Sequence, residues 1–323
     1  MDRAQAQANL LLKIRTGSQL YGTARPDSDE DFAGVFAPLA PWVYGMRRVE
    51  QVDCGHVAKD AAGKNTAEAI DFTAYEVRKF ARLALDNNPN VLELLFADAP
   101  NVVHVTPLGQ RLLDGRGLFP HRGLVKRFVG YATSQRHKMR IRIQHYGALK
   151  DALAWLDEQH AANPSISLAE VKGHREALSQ KPPPGFAWKA SHAQVGDQSY
   201  GYHERVKNVR KKVGARLASA TNRTVLFERH GFDTKFASHL IRLLMECREL
   251  VQTGTLVFPL AYADELRAIR EGALTMPEIE ARATAIEDEI RAVTNSPLRT
   301  KTAFDEVDAL VQDIVRDHLE GAV

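Results

Sequence analysis

The stretch Gly17-Ser18-Gln19-Leu20-Tyr21-Gly22-Thr23-Ala24-Arg25-Pro26-Asp27-Ser28-Asp29-Glu30-Asp31 is the part of this chain best equipped for chemistry. It joins a Gly-Ser turn, which can hold a phosphate, to an Asp-x-Asp pair, which can hold a divalent ion. Side chains two apart on a strand point to one face, so Asp29 and Asp31 converge while Glu30 faces away. Two carboxylates on a rigid face suit Mg²⁺, a hard ion that takes oxygen ligands and shares its sphere with substrate phosphates. Gly17 and Ser18 can open a helix whose free N–H groups and positive dipole end face the same anion. Metal-assisted phosphoryl or nucleotidyl transfer needs both features close together. The competing role for Asp29-x-Asp31 is a solvated turn, where Asp-Ser-Asp sequences are common.

Two carboxylates bind metal weakly alone, so a third is expected from a neighbouring strand. Asp71 is the candidate, because it opens an apolar run leading to Tyr75. It would also accept the proton of an attacking hydroxyl. Glu68 is the fallback, and for Asp71 the competing role is a strand-end cap.

The elements that must position these groups are legible as patterns. Leu10 to Ile14 reads as a strand running into the Gly-Ser turn, Asp29 to Phe36 as a second strand and Ala69 to Tyr75 as a third. Gly55 to Asn65 reads as an exposed hairpin or loop. A helix follows to about Leu85, and Asn88-Pro89-Asn90 ends it and starts another over Val91 to Phe96. From about Arg122 the pattern is helical. Arg122 to Trp155 reads as one long helix or two, with Gly130 and Gly147 as weak points. Gln180-Lys181-Pro182-Pro183-Pro184-Gly185 begins what reads as a loop to about Ser199. Helices are expected over Tyr202–Ala218, with Val206, Val209, Val213 and Leu217 at helical spacing, and over Phe232–Gln252, Pro277–Val293 and Phe304–Leu319. The expected class is α+β: an α/β domain over residues 1–118 and a helical domain over 119–323 that completes a nucleotide cleft.

Composition excludes several alternatives. An apolar share of 44% with 26% charged residues fits a globular protein with a sizeable core, and a net charge of +3 is too small to name a partner. The two cysteines, Cys54 and Cys247, form no C-x-x-C spacing, so neither a disulfide framework nor a cysteine zinc site is expected. The twelve histidines include no His-Glu-x-x-His motif. Without a signal-peptide core at the start or an apolar run of the roughly 18 residues a membrane span needs, a cytoplasmic protein with no membrane partner is expected.

The segments Gly17-Ser18, Tyr21-Gly22, Pro26-x-Ser28-Asp29-x-Asp31 and Gly34-Val35 resemble the nucleotidyltransferase signature of the DNA polymerase beta superfamily. The resemblance extends to a branch of predicted nucleotidyltransferases associated with RNA repair. That branch has segments similar to Asp71…Tyr75-Glu76-Val77-Arg78-Lys79-Phe80…Asn88-Pro89-Asn90-Val91-Leu92-Glu93-Leu94-Leu95. It also has one similar to Lys235…His239-Leu240-Ile241-Arg242-Leu243-Leu244, followed by Gly254 and Pro259-Leu260. The resemblance implies a polymerase-beta-like fold in which Gly17 and Ser18 contact a nucleoside triphosphate such as ATP. It further implies that Asp29, Asp31 and Asp71 bind two Mg²⁺ ions, for which Mn²⁺ can substitute.

Lys235, His239 and Arg242 follow i, i+4, i+7 spacing and share one helix face, opposite Phe236, Leu240, Leu243 and Leu244. An outward basic stripe of this kind, facing the α/β domain, would hold the β- and γ-phosphates and the leaving pyrophosphate. A solvated helix face is the competing role, and for His239 a packed, satisfied histidine. Arg136, His137, Lys138, Arg140 and Arg142 splay around a helix. Arg205, Lys212 and Arg216 share a face, with Lys207 and Lys211 flanking the valine stripe. Either group could track a nucleic-acid backbone, with Tyr200 and Tyr202 as stacking candidates.

The leading expectation is a Mg²⁺-dependent nucleotidyltransferase acting on an acceptor hydroxyl, an RNA end being one such acceptor. The alternative is a nucleotide-binding regulatory or antitoxin-like partner-binding protein that keeps the fold without turnover. A sugar transferase using Asp-x-Asp lacks the preceding βαβ run it would need.

Overall fold

The computed structural model describes residues 1–26, 28–56, 70–219 and 229–321, apart from the side chains of 140–143 and 219. The expected loop over Gly55–Asn65 and the fallback Glu68 lie almost wholly outside the described residues. The chain divides into two compact units, residues 1–133, 238–269 and 279–323 in the first and 134–237 and 270–278 in the second. The expected boundary after residue 118 falls inside the first unit, to which the C-terminal helices return.

The first unit opens with α1 (Arg3–Ala8), started by a capping box between Asp2 and Gln5, and β1 (Leu10–Arg15). Leu11, Leu12 and Ile14 of β1 are buried. The short helix α2 (Gly17–Tyr21) follows, then β2 (Glu30–Phe36), α3 (Ala40–Val43), β3 (Gln51–Asp53), β4 (Ile70–Glu76) and α4 (Val77–Leu85). Next come α5 (Pro89–Leu92), a 3₁₀ turn over Glu93–Phe96, β5 (Val102–Val105) and α6 (Pro107–Asp114), which Thr106 caps.

The five strands form one mixed sheet in the order β3-β4-β2-β1-β5. β1 is antiparallel to β2 and β5, whereas β2 and β4 run parallel. One face carries Phe32, Phe36, Phe72 and Ala74 in a cluster with Ala6 and Cys54. Lys13 lies over this face, its Nζ 4.1 Å from the Phe32 ring centre and 4.8 Å from that of Phe72. The expected strands around Asp31 and Asp71 are present; β2 starts one residue later than expected, and Ala69, the expected start of the other, lies outside the described residues. β3 and β5, of three and four residues, carry too little alternation to stand out in the sequence.

The long helix α7 (Leu124–Ala162) is continuous, and neither Gly130 nor Gly147 breaks it. Its first ten residues belong to the first unit and the rest to the second. The second unit continues with α8 (Leu168–Ala177), a Ser167–Glu170 capping box at its start, and β6 (Phe186–Trp188), β7 (His192–Val195), β8 (Gln198–Gly201) and α9 (Val206–Ser219). The antiparallel sheet β6-β7-β8 corrects the loop expected over this stretch. Its strands are three or four residues long, and the Pro182-Pro183-Pro184 run before them dominates a window-based reading. Their alternation is nonetheless sufficient to bury Phe186, Ala193, Val195 and Tyr200 against Leu149, Leu156, Val206, Val209 and Val213. The valine stripe is therefore core, as its spacing predicts.

Helix α10 (Thr234–Thr253) starts in the second unit and runs into the first. α11 (Ala263–Glu271), α12 (Met276–Ala292) and α13 (Phe304–Leu319) complete the chain. α13 is tied to α6 by Arg111, which reaches Asp317 at 2.7 Å. The class is α+β, a mixed five-stranded sheet in the N-terminal region and a mostly helical C-terminal region. No helix among the described residues is long and apolar enough to cross a membrane.

Phe186 packs edge-on against Trp155 at 5.4 Å between ring centres. Phe186→Ala should therefore cost about 3–5 kcal/mol in urea denaturation, the range for truncating a core aromatic. A residue in an irregular surface loop would give almost no change.

Candidate active site

The pairing of β2 with β4 sets the geometry of the carboxylates. In this parallel ladder Asp31 stands directly opposite Asp71, and Phe32 opposite Phe72. Register partners on adjacent strands share a face and lie about 4.8 Å apart in the backbone. Asp31 and Asp71 are thus side by side on the face away from the phenylalanine cluster. Glu30 points the other way, as alternation requires, and meets Arg15 at 3.4 Å.

The Gly-Ser turn closes on the same face. Thr16 N–H donates to the Asp31 carbonyl at 2.8 Å, so the turn leaves β1 at the level of Asp31. Gly17 has φ of +63°, and a Cβ there would sit 2.5 Å from Asp31 Oδ2. Any side chain at position 17 would meet both left-handed strain and the carboxylate. An open cavity of about 320 Å³ lies here, lined by Gly17, Asp31 and Asp71 together with Thr73, Tyr75 and Asn90. Tyr21 and Glu93 also line it.

Asp29 is exposed, one residue ahead of β2. Among the described residues, no group of three His, Cys, Asp or Glu side chains stands close enough to hold a metal ion. The pair Asp31 and Asp71 nonetheless fits what Mg²⁺ asks of a protein, one or two carboxylates with the remaining ligands from water and substrate phosphate.

Tyr21 and Glu93 belong to a buried polar cluster that sequence reasoning did not assemble. The Tyr21 hydroxyl donates to Glu93 Oε1 at 2.8 Å, and Arg242 Nη1 donates to Glu93 Oε2 and to Glu246 Oε1, both at 2.7 Å. The Arg242 guanidinium also lies 4.2 Å from the Tyr21 ring centre. Glu93, Arg242 and Glu246 are at most 4% exposed. Burial works against the charge of Arg242, but Glu246, Tyr21 and Glu93 hold its pKa well above the ordinary value. Burial likewise raises the Tyr21 phenol. Glu246 Oε2 and the Tyr262 hydroxyl are buried without a hydrogen-bond partner.

This overturns the outward stripe expected on α10. Lys235 is exposed in the second unit, His239 is half-buried in the first, and Arg242 is buried. His239 Nε2 approaches Arg242 Nη2 at 3.5 Å. The sequence signal was present elsewhere. Glu93 interrupts the apolar run Val91-Leu92-Glu93-Leu94-Leu95, and a carboxylate inside such a run needs a buried partner.

Two members of the basic clusters of the second unit, Lys212 and Arg216, and the neighbouring Arg210 are engaged with acids. Lys212 reaches Glu204 at 2.5 Å, Arg216 reaches Asp197 at 2.7 Å and Arg210 reaches Asp157 at 2.5 Å. Tyr200 is buried, and the Tyr202 ring packs against Trp188 and under Lys172, so neither presents a free stacking face. The side chains of Arg140 and Arg142 lie outside those described.

The chain matches the RNA repair pathway DNA polymerase beta family over residues 2–214. It belongs to that family. It is also similar to an uncharacterized 38.9 kDa protein of the nrdC-mobD intergenic region of Enterobacteria phage T4, with 24% identity over 308 residues, covering 88% of this chain and 89% of the phage protein. No solved structure matches the chain. The family match takes in Asp29, Asp31 and Asp71 as well as Gly17, Ser18, Tyr21 and Glu93, and stops short of Arg242 and Glu246.

Two measurements test this geometry. Gly17→Ala places a side chain in the left-handed region and against Asp31, and should lower unfolding free energy by about 1–2 kcal/mol. Burial pushes the Glu246 carboxyl up to about 8, with Arg242 opposing and Glu93 adding to the rise, against an ordinary value of 4.5. The folded protein then holds that proton more tightly than the unfolded chain. This stabilisation is complete below the unfolded pKa and is lost as pH rises through about 8. Unfolding free energy should decline over that interval, and Glu246→Gln should flatten the decline.

Proposed function

We propose that the protein is a Mg²⁺-dependent nucleotidyltransferase that moves a nucleoside monophosphate from a nucleoside triphosphate to an acceptor hydroxyl, releasing pyrophosphate. The observation that carries this reading is the register of Asp31 with Asp71 beside the Gly17 turn. Membership of a DNA polymerase beta family supports it, and the family's link to RNA repair favours a hydroxyl at an RNA end as the acceptor.

In this reading Asp31 and Asp71, with the exposed Asp29 ahead of them, would hold the Mg²⁺. Bound there, Mg²⁺ would neutralise charge on the phosphates and lower the pKa of the attacking hydroxyl. Gly17 and Ser18 hold the triphosphate by backbone N–H groups, and the absence of a Cβ at Gly17 lets phosphate and Asp31 approach the same point. The acceptor oxygen attacks the α-phosphorus in line. Its proton passes to a carboxylate oxygen of Asp71, while the bond from the α-phosphorus to the bridging oxygen breaks and pyrophosphate leaves with that electron pair. Of the phosphate-binding set expected on α10, His239 lies in the same unit as the carboxylates and is the member this reading keeps. Arg242, engaged by Glu93 and Glu246, is left out of that set.

Purified protein with Mg²⁺, labelled triphosphates and total RNA should release pyrophosphate and label an acceptor. Asp31→Asn and Asp71→Asn should each reduce release by at least about 100-fold, the scale of losing a metal ligand or general base. Release unchanged in the Asp29→Asn, Asp31→Asn double variant would sink the assignment. Calorimetric binding of triphosphate with no product against RNA, protein or small-molecule acceptors would favour the regulatory reading.

A further inference from the structure

The Gly17–Tyr21 turn is held from two directions, and the second of these has no part in the chemistry described so far. On its leading side the backbone is fixed to β2 through Thr16 and Asp31. Its trailing side is fixed by residues more than 200 positions along the chain. Leu260 N–H donates to the Tyr21 carbonyl at 3.2 Å, and Arg267 Nη1 donates to the Gly22 carbonyl. Gly22 has φ of +74°, and a Cβ there would lie 2.7 Å from Pro259 Cβ.

Tyr21 is where side chains take over from backbone. Its ring tilts against Phe258 at 6.4 Å between centres and carries the Arg242 guanidinium over its face. Its hydroxyl is tied to Glu93, whose other oxygen is tied to Arg242. The phenol is therefore gripped at both face and tip by one cation–carboxylate pair. All of these residues lie in the first unit, and Tyr21 and Glu93 form part of the wall of the carboxylate cavity.

We propose that Arg242 is a positioning residue: with Glu93 it clamps Tyr21 and so holds the Gly17–Gly22 turn at the height of Asp31, where the triphosphate is read to bind. The proposal rests on the nucleotidyltransferase reading for its consequence and on the clamp alone for its geometry. A guanidinium holding a phosphate directly would work through its own charge. A clamp works through Tyr21, and the phenol is uncharged and bears no metal. The two roles therefore predict different behaviour for Tyr21→Phe, which keeps the ring and removes only the hydroxyl bond to Glu93.

The test uses the full chain with Tyr21→Phe, Arg242→Lys and Arg242→Met. Steady-state pyrophosphate release should show KM for the triphosphate rising about tenfold in Tyr21→Phe, with kcat within about twofold of the parent. That split marks lost binding in a pre-set site rather than lost chemistry. Arg242→Lys should behave similarly, because an ammonium keeps the charge but not the paired geometry across Glu93 and Glu246. Amide hydrogen exchange provides a readout independent of turnover: residues 18–22 should exchange about tenfold faster in Tyr21→Phe and Arg242→Lys, while β1 and β4 keep the parent rates. A KM and an exchange pattern unchanged in Tyr21→Phe would overturn the clamp. A KM effect confined to the Arg242 variants would make Arg242 a phosphate ligand instead. If Arg242→Met does not fold, the two milder variants still decide. If the parent protein releases no pyrophosphate, the nucleotidyltransferase reading fails, and exchange at 18–22 alone decides the clamp.

Discussion

The parallel pairing of β2 with β4 is the constraint on which the rest of the site depends. Because side chains alternate, a slip of one residue would send Asp71 into the phenylalanine face and bring Phe72 into the cavity. The register is held on that buried face, where Phe32 and Phe72 meet edge-on at 6.3 Å between centres. Hydrophobic packing on one side of the sheet therefore fixes the spacing of two charges on the other. Lys13 over the same two rings adds a cation to the packed face without competing for the carboxylates, because it lies on the opposite side of the sheet.

A second constraint is electrostatic. One guanidinium between two buried carboxylates cannot satisfy both as full charges without a large desolvation cost, and the raised Glu246 carboxyl is the structure's response to that cost. At pH values where Glu246 holds its proton, Arg242 and Glu93 are the working ion pair. Buried pairs of this type add little net stability against an apolar replacement, whereas removal of one member typically costs about 3–5 kcal/mol. Their value lies in allowing one arrangement. Here that arrangement is a tyrosine fixed at the end of the Gly-Ser turn.

Much of this was legible in the sequence, and the parts that were not share a physical cause. Local periodicity identifies β1, β2, β4, the valine stripe of α9 and the bounds of α13, because each buries a full face within its own span. It fails at β3, β5 and β6–β8, whose three or four residues become strands only through partners. It fails again at α10, where spacing correctly aligns Lys235, His239 and Arg242 but cannot say which part of the helix meets solvent. Arg242 looks like an outward charge until Glu93 and Glu246 are in place. Asp31 and Asp71 were identifiable as residue types, yet their opposition is a property of strand pairing forty residues apart.

The segments singled out by family resemblance are scattered along the chain, and a set of them converges on one side chain. Tyr21-Gly22, the Asn88–Leu95 run with its Glu93, the His239–Leu244 run with its Arg242, and Pro259-Leu260 all meet around the Tyr21 ring and its carbonyl. None of these contacts involves Asp29, Asp31 or Asp71. A chain that needed only to carry two carboxylates on a sheet would have no physical reason to bury an arginine and two glutamates behind a five-residue helix. Uncompensated polar burial is costly, so such a cluster persists where the position of what it holds matters more than the stability it supplies. What it holds is the turn facing Asp31. The carboxylates set where the chemistry would occur, and the buried cluster sets how accurately the turn meets them.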